Sequence, residues 1–211
     1  MTMSSRVGPE PPARGVRLPR SARRAQLLNA ARDVFVVSGY HAAGMDDIAE
    51  RAGVSKPVLY QHFPSKLELY LALLDQSSAD LQATVRDALE STTDNKQRVT
   101  ATMQAYFDFV GAESSTFRLV FESDLTSEPA VRDRVDRVQQ ESAEQVSEVI
   151  AEDAGLSNEQ AHLLAVGLIG MAQVSARYWV TTGQQIPADE AVRLVSTLAW
   201  RGISKFPRTG G

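Results

Sequence analysis

The chain has 211 residues, a net charge of −4 and no cysteine, which excludes disulfide frameworks and thiol catalysis. This length suffices for one or two small helical domains with a buried core. No uninterrupted apolar run approaches the ~20 residues that span a bilayer, and the N-terminus lacks the apolar segment of a signal peptide, so the sequence predicts a soluble, cytoplasmic protein without a membrane partner.

The charge is divided unevenly along the chain. Residues 1–66 carry a net charge of +5, and residues 67–211 carry −9. A basic head on an acidic body is typical of a protein that turns one end toward the phosphates of a nucleic acid and keeps the rest away from them.

The N-terminal segment, residues 1–20, is rich in proline, glycine, serine and arginine and has no periodic apolar face, which predicts a flexible tail. Its arginines are Arg6, Arg14, Arg17 and Arg20. Two interpretations stay open: these arginines enter an adjacent minor groove, or the tail is simply solvated. Ser21 is then predicted to cap a first helix, whose apolar stripe includes Phe35 and which Gly39 ends.

Residues 43–66 predict two short helices joined at a glycine. An apolar face recurs at helical spacing in the first of them, at Met45, Ile48, Ala49 and Ala52. Gly53 can take positive φ at little steric cost, and Ser55 serves as an N-cap with Pro57 in the first turn of the next helix. This arrangement is a helix-turn-helix.

The outer face of the second short helix carries side chains that suit the floor of a DNA major groove. Lys56 can donate to a guanine edge or a phosphate, and Val58 can contact a thymine methyl group. Tyr60, His62 and Lys66 can bond phosphate oxygens. For any single residue, an ordinary surface helix is an equally good interpretation, but the set together favours DNA. The residues predicted to contact DNA are Arg20, Met45, Ser55, Lys56, Pro57, Val58, Tyr60, Gln61, His62 and Lys66.

The rest of the chain reads as helices. Ser65, with Glu68 three residues later, has capping-box spacing and predicts a long helix to about Glu90 that links the head to the body. No alternating strand pattern follows, so the chain is predicted to be all-α with about nine helices. The predicted domains are a flexible tail at residues 1–20, a DNA-binding head at 21–66 and a ligand-binding and dimerisation body at 67–211.

Bulky apolar side chains gather in the body. Taken singly, each is better explained by ordinary core packing. Because they cluster in a domain whose sequence shows little sign of another function, we expect a pocket for a hydrophobic small molecule. The predicted pocket residues are Met103, Phe107, Phe117, Phe121, Met171 and Trp179.

The last two predicted helices have apolar surface on more than one side. Ser157 and Gln160 form a capping box that starts a helix to about Thr182. Its bulky stripe is Leu164, Leu168, Met171 and Tyr178; its mostly small stripe is Ala165, Ile169, Ala172, Ala176 and Trp179. The small stripe allows a neighbouring helix to come close. A final helix over residues 187–205 follows. Two adjacent helices with apolar surface on more than one side predict a four-helix interface between two copies.

The segment GMDDIAERAGVSKPVLYQHFPSK resembles the DNA-binding signature of the TetR family of bacterial regulators, and the likeness extends back to Arg23 and forward to Leu74. Within that family the chain is similar to the actinobacterial fatty-acid-synthesis regulators that respond to long-chain acyl-CoA. The segments STTDNKQR, FRLVFESD and AVGLIGMAQVSARYW carry this closer likeness. The resemblance implies a homodimer that binds an inverted-repeat operator on double-stranded DNA and a long-chain acyl-CoA as effector.

Other function classes are less favoured. The histidines His41, His62 and His162 lie in separate elements without metal-type spacing, and no nucleophile elbow or glycine-rich phosphate loop is present. We therefore expect no enzyme, no metal site and no cofactor, with an acyl-CoA-processing enzyme as a distant competitor. The acidic body argues against an architectural DNA binder without sequence choice. A TetR-type repressor of an efflux or catabolic gene differs only in its ligand and stays open as the alternative.

Overall fold

The computed structural model describes residues 18–112, 125 and 127–203, which form eight helices and no strand. The helices are α1 (Arg20–Ala42), α2 (Met45–Arg51), α3 (Lys56–His62), α4 (Lys66–Glu90), α5 (Asn95–Gly111), α6 (Pro129–Ala154), α7 (Asn158–Thr181) and α8 (Ala188–Ile203). The predicted all-α fold is thereby confirmed. The predicted pocket residues Phe117 and Phe121 lie outside the described residues, as do the tail arginines Arg6, Arg14 and Arg17.

Helix α1 differs from the prediction at its start. It begins at Arg20 with Pro19 in the N-cap position, so Ser21 is not the cap. Proline fixes φ near the value that a helix entry needs, and the helix begins two residues earlier than predicted. Near the other end, Gly39 has φ 70° and ψ 169°, a positive φ that glycine adopts readily, and α1 kinks there before its last turn.

A first hydrophobic core holds the head together. Helices α1 to α3 and the first half of α4 bury one cluster, whose least exposed members include Leu27, Phe35, Ile48, Leu59 and Leu69. Leu125 and Val131, the latter from the start of α6, join the same cluster. The core of the head thus extends beyond residue 66 along α4, while the domain boundaries stay a prediction.

Lys66 joins the start of α4 to the end of α1. Its Nζ lies 2.8 Å from the Tyr40 carbonyl oxygen, 2.9 Å from that of Ala43 and 3.3 Å from that of His41. It also lies 4.5 Å from the centre of the Tyr40 ring. An ammonium group has three N–H donors, so these carbonyls use all of them. They belong to the end of α1, where carbonyl groups lack partners within the helix.

A second hydrophobic core lies in the body, between α4, α5, α7 and α8 with Val138 of α6. Helix α7 is long and apolar enough to cross a membrane by length and composition alone, and 22% of its most apolar window is buried within the chain. The sequence prediction concerned an uninterrupted apolar run, and Gln173, Ser175 and Arg177 interrupt the run in α7.

We expect Lys66→Met to lower the free energy of unfolding by ~1–3 kcal/mol, because it leaves carbonyl groups at the end of α1 without their donor while keeping the aliphatic stem. Chemical denaturation of the full chain measures this. The control is Lys56→Met, whose side chain is more than half exposed; we expect it to change stability by less than about 0.5 kcal/mol. Equal stability of the Lys66 variant and the wild type would contradict the structural role.

Candidate DNA-binding surface and effector cavity

The turn between α2 and α3 is closed by backbone hydrogen bonds. The Gly53 amide donates to the Glu50 carbonyl at 2.9 Å, and the Val54 amide donates to the Ala49 carbonyl at 3.0 Å. Gly53 has φ +65°, and a Cβ placed on it meets no atom within 4 Å. Glycine is therefore favoured here by its backbone conformation and not by crowding. Ser55 occupies the N-cap position of α3, as predicted, but its side chain makes no cap hydrogen bond.

Helix α3 turns one side inward and the other to solvent. Leu59 is fully buried in the head core, and Val58 and His62 are half-buried. Lys56, Pro57, Tyr60 and Gln61 are exposed, and 46% of Tyr60 is accessible. An exposed aromatic side chain on a short helix that lies on a folded head suits a DNA groove. Ser55 and Arg20 are exposed as well, whereas Met45 packs partly against the head core.

Lys56 is held by an ion pair across the helix-turn-helix. Its Nζ lies 2.5 Å from Asp46 Oδ2 of α2, and the hydrogen bond to Asp46 raises the pKa of the Lys56 ammonium. Both side chains are more than half exposed, so the pair contributes little to stability. Its effect is to orient Lys56. The predicted contact of Lys56 with a base therefore requires the ammonium to share or leave Asp46.

Positive charge collects where the start of α1 faces the end of α3. Burial lowers the pKa of His62, and the charges of Arg20, Arg24 and Arg23 lower it further. Arg24 also lies over the Phe63 ring, with its Cζ 4.3 Å from the ring centre. Arg20, which the sequence analysis included, thus lies with two arginines that it did not include. Their spacing of three and four residues along α1 was the available signal, because such residues share one helix face.

The residues predicted to contact DNA therefore differ in how accessible they are to a ligand. Lys66 is half-buried and bonded to carbonyl groups within the fold, and its contact with a phosphate stays a prediction. The exposed residues of α3 and the arginines of α1 are better placed for a ligand that approaches from solvent.

The body contains a cavity of about 380 Å³, within the range of small-molecule sites. Most of its walls are aliphatic, and they come from α4 (Leu81, Val85, Leu89), α5 (Asn95, Arg98, Val99, Thr102, Met103, Tyr106), α6 (Ser142, Val146, Val149, Ile150, Asp153, Ala154), α7 (Leu164, Leu168, Ile169, Ala172, Gln173) and two further positions, Leu156 and Trp200. The cavity thus lies between the helices of the body, and it has an apolar interior.

One end of the cavity is polar. Arg98 lies there with its Nη1 2.5 Å from Asp153 Oδ2 and its Nε 3.0 Å from the Leu89 carbonyl oxygen. Asn95 beside it is exposed. At the other end Leu81, Tyr106 and Ser142 are buried. The cavity therefore has a charged, open end and a closed end at which no described charged side chain lies, which suits a ligand with a charged head and a long apolar tail.

The predicted pocket residues are only partly brought together. Met103 lines the cavity. Phe107 and Trp179 instead pack on each other, with ring centres 5.5 Å apart, and line a shallower depression near Gly111. Met171 packs against the body core and is absent from the cavity wall among the described residues. Phe117 and Phe121 lie outside the described residues. The sequence analysis missed the aliphatic wall, because valine and leucine at core spacing look the same whether they fill a core or line a cavity.

Helices α7 and α8 both expose large apolar side chains, which together are called the exposed face of α7 and α8 below. Leu163, Val166, Val174 and Tyr178 on α7 are at least half exposed, as are Leu194 and Leu198 on α8. In contrast, Ala165, Ala172, Ala176 and Trp179 are buried within the chain. Neighbouring helices of the same chain therefore cover these members of the small stripe, and the exposed apolar side chains are the ones that a second copy can reach.

The chain matches known protein families over most of its length. Residues 27–73 match the bacterial regulatory proteins of the TetR family, and residues 95–202 match the tetracyclin repressor-like C-terminal domain. The HTH-type transcriptional activator FasR of Mycolicibacterium smegmatis is 50% identical over 196 residues, which are 93% of this chain and 90% of that protein.

Solved structures agree with this assignment. A TetR-like transcriptional regulator from Rhodococcus sp. RHA1 superposes with a TM-score of 0.70 at 28% identity, over 90% of this chain and all of that one. The transcriptional regulator FadR from Bacillus subtilis, solved in complex with stearoyl-CoA, has a TM-score of 0.71 at 18% identity over 85% of this chain and 98% of that one, and it shares the fold. The chain belongs to the TetR family and is a DNA-binding transcriptional regulator, not an enzyme.

Proposed function

We propose that this regulator controls genes of fatty-acid synthesis in response to a long-chain acyl-CoA. The cavity carries the proposal: it has an aliphatic interior, one open polar end at Arg98 and one closed end. An acyl-CoA has the same division into a polar head and an apolar chain. The relative named FasR and the shared fold with a FadR solved with stearoyl-CoA support the ligand class. Because its operator is DNA, we place the protein in the cytoplasm.

Helices α4 and α6 connect the cavity to the head. Helix α4 buries Leu69 in the head core and lines the cavity with Leu81. Helix α6 buries Val131 in the head core and lines the cavity with Ser142. A ligand that separates α4 from α6 therefore also changes how the head sits on the body, and it shifts DNA affinity by its difference in affinity for the two arrangements.

The test is a gel-shift titration of operator DNA with palmitoyl-CoA and stearoyl-CoA. We expect either ligand to change operator affinity, and short acyl-CoAs to fail, because each buried methylene contributes about 0.8 kcal/mol. Ala172→Phe places a ring inside the cavity; it should keep operator binding and weaken the acyl-CoA response by about tenfold or more. The matched control is Ala83→Phe, at an exposed position of α4. If long-chain acyl-CoA leaves wild-type operator affinity unchanged, the acyl-CoA part is wrong and an efflux or catabolic regulator becomes the better proposal.

We also propose that two copies join through the exposed face of α7 and α8. Gly167 lies on this face, and a Cβ on either Gly167 or Gly170 meets no atom within 4 Å in the chain. Glycine inside a helix costs about 1 kcal/mol relative to alanine, so packing within one chain gives no reason for it. A second helix in close contact gives one. Such a dimer would present two α3 helices to successive major grooves of an inverted repeat, about 34 Å apart.

Gly167→Leu tests this interface. Within one chain the leucine has room and a better helix propensity, so we expect the melting temperature of the monomer to stay level or rise. In the dimer it blocks the approach of the helices, so light scattering should show monomer at micromolar concentration where the wild type is dimeric. A stable wild-type monomer would refute the dimer, and a dimeric variant would place the interface elsewhere.

His62 gives the DNA surface a dependence on pH. Its pKa in the free protein lies below the usual value of 6.5 because of burial and the nearby arginines. A phosphate beside it favours the charged imidazolium and raises the pKa, so DNA binding takes up a proton. We expect operator affinity to rise as pH falls from about 8 to about 6 at constant salt. His62→Gln should flatten this slope, and His162→Gln in the body should keep it; identical slopes in both variants would remove His62 from the interface.

A further inference from the structure

Among the described residues, two hydroxyl groups at the cavity wall have no hydrogen-bond partner. Thr102 and Tyr106 lie one turn apart on α5, and both line the cavity. Tyr106 is 6% exposed, and neither its hydroxyl oxygen nor Thr102 Oγ1 has a hydrogen-bond partner in the described part of the chain. Buried polar groups are nearly always paired in native proteins, so two unpaired hydroxyls on one wall call for a physical explanation.

The Thr102 hydroxyl differs from those of other helical residues in this chain. Ser77 donates to the Leu73 carbonyl at 2.8 Å, Thr84 to that of Asp80 at 2.8 Å and Thr100 to that of Lys96 at 3.1 Å. Each uses the carbonyl four residues earlier, which is the usual local partner for a hydroxyl in a helix. Thr102 does not make this bond, so its hydroxyl remains available to a group inside the cavity.

Both hydroxyls lie toward the closed end. Among the described residues, Tyr106 is the last position of α5 to line the cavity, Leu81 is the first on α4, and Ser142 is the first on α6. The exposed Asn95 marks the opposite end. Tyr106 is eight residues from Arg98, or ~12 Å along the helix. Since tyrosine side chains on helices lean toward the N-terminus, the Tyr106 hydroxyl approaches the level of Thr102.

We propose that the cavity selects acyl chains that carry an oxygen, as a hydroxyl or keto group, on the part of the chain that reaches the closed end. This inference rests on the proposed acyl-CoA response. A keto oxygen has two lone pairs and accepts from both hydroxyls, while a ligand hydroxyl accepts from one and donates to the other. Burial raises the pKa of Tyr106 well above its usual range, so the phenol stays a donor at every physiological pH.

The thioester carbonyl of the ligand does not fill this role. Beyond Tyr106 no described residue of α5 lines the cavity, and Leu81 and Ala172 are buried around it. A thioester placed at Thr102 and Tyr106 would leave its hydrocarbon chain no room further in. The oxygen must therefore lie on the chain, inward of the thioester. A plain hydrocarbon at the same place leaves both hydroxyls unpaired, which costs affinity.

Calorimetric titration of the full chain tests the proposal. The probes are palmitoyl-CoA and three hydroxypalmitoyl-CoA isomers, with the hydroxyl near the thioester, at mid-chain and on the terminal carbon. We expect the mid-chain or the terminal isomer to bind the wild type roughly tenfold more tightly than palmitoyl-CoA. Tyr106→Phe and Thr102→Val keep the shape of the wall, and each should abolish most of that preference. Thr100→Val, at the exposed Thr100, should leave it intact.

The outcomes separate this proposal from the acyl-CoA response itself. If the wild type binds all four probes equally, the oxygen preference is wrong and the acyl-CoA response stands. If no acyl-CoA binds or alters operator affinity, the proposed function fails. A Tyr106-dependent loss of affinity on replacing palmitoyl-CoA by its thioether analogue, S-hexadecyl-CoA, would assign the acceptor to the thioester and overturn the proposal. Ligand-free Tyr106→Phe should melt no lower than the wild type, because it removes an unpaired hydroxyl; a large destabilisation would show that the hydroxyl has a structural role instead.

Discussion

Helix α4 belongs to two hydrophobic cores at once, and the link between the DNA surface and the cavity depends on this. Leu69 and Leu73 are buried in the head, and Leu81 and Val85 are buried in the wall of the cavity. Closely packed cores transmit small displacements because they do not deform continuously. A shift of α4 that makes room for a ligand must therefore be accommodated in the head as well.

Two polar contacts between α4 and α6 restrict how these helices move relative to each other. Near the head, Arg134 of α6 pairs with Asp75 of α4 at 2.8 Å. About two turns further on, Gln82 of α4 hydrogen-bonds Glu141 of α6. These polar contacts hold the two helices together on the head side of the cavity. In the proposed response, a ligand between them inside the cavity would act on the far ends, so that the helices would pivot and not simply move apart.

The sequence was informative wherever a local pattern determines the structure. The helix-turn-helix could be predicted because Gly53 needs positive φ and because an apolar face recurs within two short helices. The capping box of Ser157 and Gln160 was likewise confirmed, with bonds of 3.0 and 3.3 Å in both directions. The carbonyl partners of Lys66 could not be foreseen, because they depend on where α1 ends relative to α4 in space.

The cavity was harder to predict because it is a space that the side chains of the neighbouring helices leave unfilled. Phe107 and Trp179 were predicted to line the pocket because they are large, but their rings pack on each other within the body core. The wall consists mostly of aliphatic residues, whose spacing is that of any buried helix. Which face of α7 meets a second copy could not be predicted for a similar reason: alanine permits close approach both to a helix of the same chain and to one of a partner, and periodicity does not distinguish them.

Helix α7 finally connects the cavity to the proposed dimer interface. Leu168 and Ile169 of α7 line the cavity, and Val166 and Gly167 on the neighbouring face point away from the chain. Because α7 alone separates the cavity from this outer surface, a displacement of α7 on its cavity side also displaces its outer surface. In a dimer built on that outer side, the ligand would act on the spacing of the two heads twice: through α4 and α6 within each copy, and through α7 at the interface between copies. Since an inverted repeat fixes the distance between half-sites, even a small change in that spacing has a free-energy cost on DNA, which by linkage equals the change in ligand affinity.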